Sequence, residues 1–92
     1  MNSRVPLAIE WVESKAKAPH QEHAHTRVVN YYGCLLVSPH AMPLEQRLKV
    51  TNLANRQSIG AVVVYTGNRR VDGWELGVEL VQPKMDFWGL EL

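Results

Sequence analysis

Hydrophobic and polar residues alternate along most of this chain with a period of two rather than 3.6. Segments with this period are typical of β-strands that bury one face and expose the other. Six stretches show it, and turn-forming residues separate most of them. The predicted strands are "RVPLAIEW", "TRVVN", "GCLLVS", "RLKVTNL", "RQSIGAVVVYT" and "WELGVELV".

The alternation also predicts which side chains share a face. In the first predicted strand the apolar face consists of Val5, Leu7, Ile9 and Trp11. In the last it consists of Trp74, Leu76, Val78 and Leu80, so that Glu75, Gly77 and Glu79 point away and the two glutamates are surface charges. In the fifth, Tyr65 falls on the same face as Ala61 and Val63. Gly60 and Gly77, inside strand patterns, predict the bends or bulges that a closed sheet needs.

Polar and turn-forming segments connect the predicted strands. Residues 13–25, "ESKAKAPHQEHAH", contain no large apolar side chain and are predicted to be an exposed loop. Residues 30–33 form a turn that ends in Gly33, and residues 52–55, "NLAN", suit a hairpin. Residues 67–73, "GNRRVDG", are predicted to be the last connection, with glycine at each end.

Six short strands with tight turns predict an all-β fold, most economically a small antiparallel barrel that leaves no sheet edge exposed. The C-terminal "QPKMDFWGLEL" breaks the alternation after Pro83. It is expected to form either a short helix or an aromatic plug over the open end of the barrel. The side chains expected in the plug are Met85, Phe87, Trp88 and Leu90.

Length and composition restrict the function classes. A chain of 92 residues, 46% of them hydrophobic, is expected to form one domain spanning residues 1–92. Its apolar runs are shorter than the roughly 20 residues that span a bilayer, and no secretory signal is visible, so we expect a cytoplasmic protein without membrane insertion. A net charge of +1 disfavours binding to nucleic acid polymers, although Tyr31, Tyr32 and Tyr65 offer stacking surfaces.

Metal and catalytic chemistry find little support in the sequence. His20, Glu22, His23 and His25 lie close together, but no further ligands complete a zinc site, so a solvated loop is the favoured interpretation. No nucleophile, phosphate-loop or metalloprotease motif is present, so neither an enzyme nor a cofactor is predicted. Cys34, the single cysteine, is expected to be a buried, unreactive thiol.

The order of the segments carries a resemblance that spans nearly the whole chain. "RVPL" is followed by "VVNYYGCLLV", then by "LEQRLKVTNLANRQSIGAVVVYTG", and finally by "WELGVELVQPKMDFWGLEL". This order resembles the PilZ domain, a family of bacterial receptor domains for the second messenger cyclic di-GMP. Residues 19–25 are the part least alike. The resemblance implies a six-stranded antiparallel barrel and a role in signalling.

The resemblance also implies the ligand-binding residues. The family binds its ligand with an Arg-x-x-x-Arg segment before the first strand and an Asp/Asn-x-Ser-x-x-Gly turn. Arg4 matches the second arginine, and the first is expected one residue ahead of Met1. Gly33 matches the final glycine, Asn30 stands at the serine position and Val28 at the Asp/Asn position. Arg27 is adjacent and is expected to compensate. The predicted ligand-binding residues are Arg4, Arg27, Asn30 and Gly33.

Two functions follow from an incomplete match of this kind. In the first, the chain is a cyclic di-GMP receptor with a degenerate site. In the second, it is a PilZ-like adaptor that acts through protein contacts without a ligand. Arg69 and Arg70, in the last predicted connection, are candidates for a protein-contact surface.

Overall fold

Six antiparallel β-strands form a closed barrel in the computed structural model of the chain, which describes residues 2–12, 18–84 and 86–89. The strands are β1 Pro6–Trp11, β2 His20–Val29, β3 Gly33–Ser38, β4 Arg47–Asn52, β5 Gln57–Arg70 and β6 Gly73–Leu80. Their order around the barrel is β1-β2-β3-β6-β5-β4, and β4 pairs with β1 to close it. The predicted small six-stranded barrel is therefore confirmed.

The barrel interior is filled by the apolar faces that the alternation predicts. The apolar faces predicted for β1 and β6 point inward, except that Trp74 is only partly buried. The small side chain of Ala8, on the other face of β1, is also covered. The core consists of Val5, Leu7, Ile9, Trp11, Val29, Cys34, Leu36, Met42, Leu48, Val50, Ala61, Val63, Leu76, Val78, Leu80, Phe87 and Trp88.

The histidine-rich segment is a strand rather than the predicted loop. Residues 20–25 form the first half of β2 and pair in register with the whole of β1, from Trp11 opposite His20 to Pro6 opposite His25. The His20 ring stacks on Trp11 with 5.4 Å between ring centroids. Backbone pairing with β1 overrides the weak strand preference of these polar residues. Residues 13–17 of the predicted loop lie outside the described residues.

The last connection is shorter than predicted. Pairing of β5 with β6 continues to Arg70 opposite Gly73, so only Val71 and Asp72 form the turn. Register shifts between Val63 and Tyr65 and between Thr66 and Arg69 accompany this extension. An extra residue reverses the alternation that follows it, so the Tyr65 side chain is 52% exposed instead of sharing the inner face of Val63.

The C-terminal aromatic residues form the predicted plug. Phe87 is completely buried, and Trp88 is 2% exposed. Residues 86–88 form a turn, and no helix occurs in residues 2–12, 18–84 and 86–89. Accordingly, none of these residues belongs to a helix long and apolar enough to cross a membrane. Met85 and Leu90, also expected in the plug, lie outside the described residues.

Candidate ligand-binding site

The segment before β1 lies along the second half of β2. Asn2 forms a β-bridge with Val28, and the Ser3 amide donates to the Arg27 carbonyl at 3.1 Å. The buried Thr26 hydroxyl donates to the Ser3 carbonyl at 2.6 Å and accepts from the Val5 amide at 2.7 Å. These bonds hold residues 2–5 against β2. Arg4 is therefore placed beside Arg27, although 22 positions separate them in the sequence.

Arg4 and Arg27 line an open cleft of about 460 Å³, which we call the arginine cleft. Its other lining residues are Asn2, Ser3, His25, Thr26, Val28 and Asp72. Arg4 is exposed and forms no ion pair with another residue in the described parts of the chain. An exposed guanidinium without a carboxylate partner is available to a ligand, and its planar donors suit a phosphate group.

Arg27 already has a carboxylate nearby. Its Nε lies 3.8 Å from Oε2 of Glu75, and Nη1 of Arg70 lies 3.3 Å from the same oxygen. The Glu75 side chain is only 16% exposed, so it is more enclosed than the surface charge that the strand pattern predicts. The Glu75 carboxylate lies between the guanidinium groups of Arg27 and Arg70, in a position that a bound anion would also occupy. A phosphate that contacts Arg27 therefore has to compete with Glu75.

The His25 imidazole lies in the arginine cleft, close to charged groups of both signs. Its side chain is 19% exposed, and Nε2 lies 3.5 Å from Oδ2 of Asp72. Burial lowers the pKa of His25 from its ordinary value of 6.5, and the positive charges of Arg4 and Arg27 lower it further, against the opposing effect of Asp72. The lowered pKa of this imidazole thus reflects its burial first, and the nearby guanidinium groups second.

We expect the free energy of unfolding to decrease as the pH falls below 6.5, the ordinary pKa of His25. In that range the unfolded chain binds a proton at His25 before the folded chain does, which favours unfolding, and the loss is complete below the folded pKa. An NMR titration of the His25 ring measures that pKa directly. Arg4→Ala should raise it, and an unchanged value would show that Arg4 does not act on this imidazole.

The predicted site residue Asn30 stabilises the turn between β2 and β3. Its side-chain Oδ1 accepts from the Tyr32 amide at 2.8 Å and from the Gly33 amide at 3.0 Å. Its backbone carbonyl accepts from the Trp88 indole at 2.9 Å. The amide oxygen is therefore committed to the turn, as is usual for asparagine at such positions. Binding of a ligand by Asn30 remains a prediction, with the side-chain NH₂ group as the donor.

Gly33 is required by the approach of two strands. A Cβ atom at this position would lie 2.0 Å from the Val78 carbonyl oxygen and 3.0 Å from the Glu79 Cα. Both contacts are with backbone atoms of β6, which cannot move away as the end of a flexible side chain can. The packing of β3 on β6 therefore explains this glycine without a ligand, and its role in binding remains a prediction.

A second depression of about 410 Å³ adjoins the arginine cleft on the outer face of the barrel. We call it the tyrosine groove because Tyr32 and Tyr65 line it. Val28 lines both the cleft and the groove and so joins them. The other residues of the groove are Asn30, Gly33, Cys34, Leu35, Val64, Gly77, Val78 and Glu79.

Several residues at these depressions were not predicted as site residues from the sequence, among them Tyr65, Asp72, Glu75 and Glu79. Asp72 and Glu75 reach the cleft because the β5–β6 hairpin brings them next to β2, which no local pattern indicates. Tyr65 is turned outward by a register shift. One feature of the sequence is consistent with this outward position. Gly77 lies directly opposite Tyr65, and a glycine leaves room for a neighbouring ring.

The remaining candidates for chemistry do not form a site in the described ranges. No group of three or more His, Cys, Asp or Glu side chains in residues 2–12, 18–84 and 86–89 is arranged to hold a metal ion. His40 contacts Glu22 at 2.9 Å on the surface. Cys34 is buried as expected, and burial raises the pKa of its thiol. The thiol is therefore protonated and a poor nucleophile.

Comparison with known proteins found no matching family model, no similar curated protein and no similar solved structure. The function of the cleft and the groove therefore has to be inferred from their own residues.

Proposed function

We propose that this chain is a non-enzymatic bacterial signalling domain of the PilZ type that binds cyclic di-GMP in the cytoplasm. The phosphates lie in the arginine cleft, against Arg4 and Arg27. The observation that carries the proposal is the pairing of residues 2–5 with β2. It brings the arginine before the first strand and the turn at residues 30–33 to one surface, as the sequence resemblance requires.

The chemistry of the cleft supports an anionic ligand. Arg4 offers a guanidinium group without a carboxylate partner in the described residues, whereas Arg27 exchanges Glu75 for a phosphate. Hydrogen bonds to charged groups are each worth about 1.5–3 kcal/mol, so two such contacts are sufficient for measurable binding. Val28, at the carboxylate position of the turn motif, contributes apolar contact only. We therefore expect weaker binding than a complete motif provides.

A second function, that of a protein-binding adaptor, is favoured by the tip of the β5–β6 hairpin. Val71 is exposed to 110% of its reference area, and it lies beside Arg69 and Arg70. The Arg69 guanidinium lies 5.1 Å from the centre of the Trp74 ring, which holds it in place. An exposed apolar residue next to ordered arginines is a suitable anchor for a protein partner.

A titration with cyclic di-GMP, followed by calorimetry and by amide NMR shifts, tests the receptor proposal. We expect saturable binding at micromolar ligand, with shifted amides in residues 2–5 and in β2. Arg4→Ala should weaken binding by at least about tenfold, because it removes one charge-assisted phosphate contact.

Arg47→Ala is the matched control, since it removes the same charge from the exposed side of β4 and should leave the affinity unchanged. Equal losses in the two variants would mean that only net charge matters. No heat and no shifted amides up to about 1 mM ligand, an affinity worth about 4 kcal/mol, would refute the receptor proposal and leave the adaptor.

A further inference from the structure

We propose that the tyrosine groove binds a guanine base, which stacks on Tyr65 and is recognised by the carboxylate of Glu79. This inference rests on the proposed function, because the phosphate joined to that base lies in the arginine cleft. It assigns base recognition to β5 and β6, outside the residues that the sequence predicts for the site. Four features of the groove carry it.

The first feature is a floor of glycine and apolar side chains. Gly33 pairs with Glu79, and Gly77 pairs with Leu35 on one side and with Tyr65 on the other. Gly77 carries no side chain, so the floor there is formed by Leu35 opposite it and by the Tyr65 ring beside it. A flat ring can therefore lie on an apolar and aromatic surface at this place.

The second feature is the aromatic wall. Tyr32 is 63% exposed and Tyr65 is 52% exposed, so both rings offer surface to a ligand. The Tyr65 side chain lies close against two glycines, since a Cβ atom added at Gly77 would lie 2.9 Å from the Tyr65 Cβ and one added at Gly67 would lie 3.2 Å from its Cε2. Stacking of a base on an exposed aromatic ring is worth about 1–3 kcal/mol per base.

The third feature is a carboxylate without a partner at the rim. The Glu79 side chain is exposed and forms no hydrogen bond or ion pair with another residue in ranges 2–12, 18–84 and 86–89. An ionised carboxylate only accepts hydrogen bonds. Guanine presents two adjacent donors on its Watson–Crick edge, N1–H and the N2 amino group, which match the two oxygens. Adenine presents one donor beside the acceptor N1, so it is disfavoured.

The fourth feature is the continuity of the groove with the arginine cleft. Val28 lines both depressions, and the Arg27 side chain is next to it in β2. The groove itself carries only a negative charge, that of Glu79 at its rim. The cleft supplies the positive charge that the phosphate attached to the base requires. Charge complementarity thus identifies the occupant as a guanine nucleotide rather than an apolar peptide or a free base.

The test compares GMP with AMP by amide NMR titration of the whole chain, and measures cyclic di-GMP binding in the same samples. We expect GMP to shift the amides of Gly33, Tyr65, Gly77 and Glu79, and to bind at least about tenfold more tightly than AMP. Glu79→Gln should abolish this preference, and Tyr65→Leu should weaken both nucleotides. Glu10→Gln, which makes the same charge change on β1 across the barrel, should leave the preference intact.

The outcomes separate the inference from the proposed function. If cyclic di-GMP binds but GMP and AMP bind equally, or if Glu79→Gln keeps the preference, the guanine site is refuted and the receptor proposal stands. If GMP shifts the groove amides with the expected preference but cyclic di-GMP does not bind, the groove is supported and the receptor proposal fails. No shift of the groove amides by GMP up to about 10 mM would also refute the guanine site.

Discussion

Replacing Gly33 with alanine is expected to lower the free energy of unfolding by about 3 kcal/mol, the upper range for overpacking in a folded core. The added methyl group would lie 2.0 Å from the Val78 carbonyl oxygen. Relief requires β3 and β6 to separate, which breaks hydrogen bonds at the Gly33–Glu79 end of the ladder between them. Urea unfolding measures the effect as a lower midpoint at an unchanged slope.

Gly60→Ala is the matched control for this substitution. The nearest atom to an added methyl group at Gly60 is Cγ2 of Val81, at 3.5 Å, which is an ordinary contact. We expect the free energy of unfolding to change by no more than about 0.5 kcal/mol, or to rise slightly because alanine restricts the unfolded chain more than glycine does. If Gly33→Ala is as stable as Gly60→Ala but has lost ligand binding, the glycine serves the ligand rather than the strand packing.

The second large effect is expected at the plug. Trp88→Ala should cost about 3–5 kcal/mol in the free energy of unfolding, as truncation of buried tryptophan does in other cores. The side chain is 2% exposed, packs edge to face with Phe87 at 4.8 Å, and donates to the Asn30 carbonyl at 2.9 Å. Folded domains are stable by only about 5–15 kcal/mol, so thermal unfolding should show a large fall in midpoint.

Two further variants show why Trp88 matters. Tyr32→Ala removes an exposed aromatic ring from the turn at residues 30–33, to which Trp88 is hydrogen-bonded, and should change the free energy of unfolding by no more than about 0.5 kcal/mol. Trp88→Phe keeps most of the volume but removes the indole donor, and should cost about 1 kcal/mol for the hydrogen bond in addition to the cavity it leaves. A loss at Tyr32 as large as that at Trp88 would contradict the assignment of the plug.

The plug also connects two turns that the sequence predicts separately. The side-chain NH₂ groups of Asn52 and Asn55 both donate to the Phe87 carbonyl, at 2.9 Å and 3.0 Å. The Asn30 carbonyl accepts from Trp88. Turn propensity explains asparagine at these positions in the sequence. That the turns also fix the C-terminal aromatic residues is visible only when these turns and residues 87–88 are placed together.

The errors of the sequence-based prediction have identifiable physical causes. Residues 20–25 are polar and were predicted to be a loop, but the free backbone edge of β1 binds them as a strand. Local preference is weak for strands, and pairing decides the outcome. Tyr65 was predicted to share the face of Val63 because strict alternation continues through it, whereas a register shift after Val63 reverses the faces.

For the candidate site, the sequence indicated particular residues but not their neighbours. Arg4 and Arg27 were predicted, and the structure places both in one cleft. Asn30 and Gly33 line the adjoining groove, with structural roles of their own. Asp72 and Glu75 were missed because their contacts with β2 depend on how the β5–β6 hairpin lies against it. Contacts between distant segments have no local signature.

The sequence by itself determined the all-β class, the number of strands, the inward faces of β1 and β6, and the turns at residues 30–33 and 52–55. Each of these depends on local preference or on a period of two, which neighbouring residues express directly. The tertiary structure alone decided the strand at residues 20–25, the outward position of Tyr65 and the meeting of Arg4, Arg27 and Glu75. Those features arise from pairing and register between strands distant in sequence, where the free energy of closing the barrel outweighs local preference.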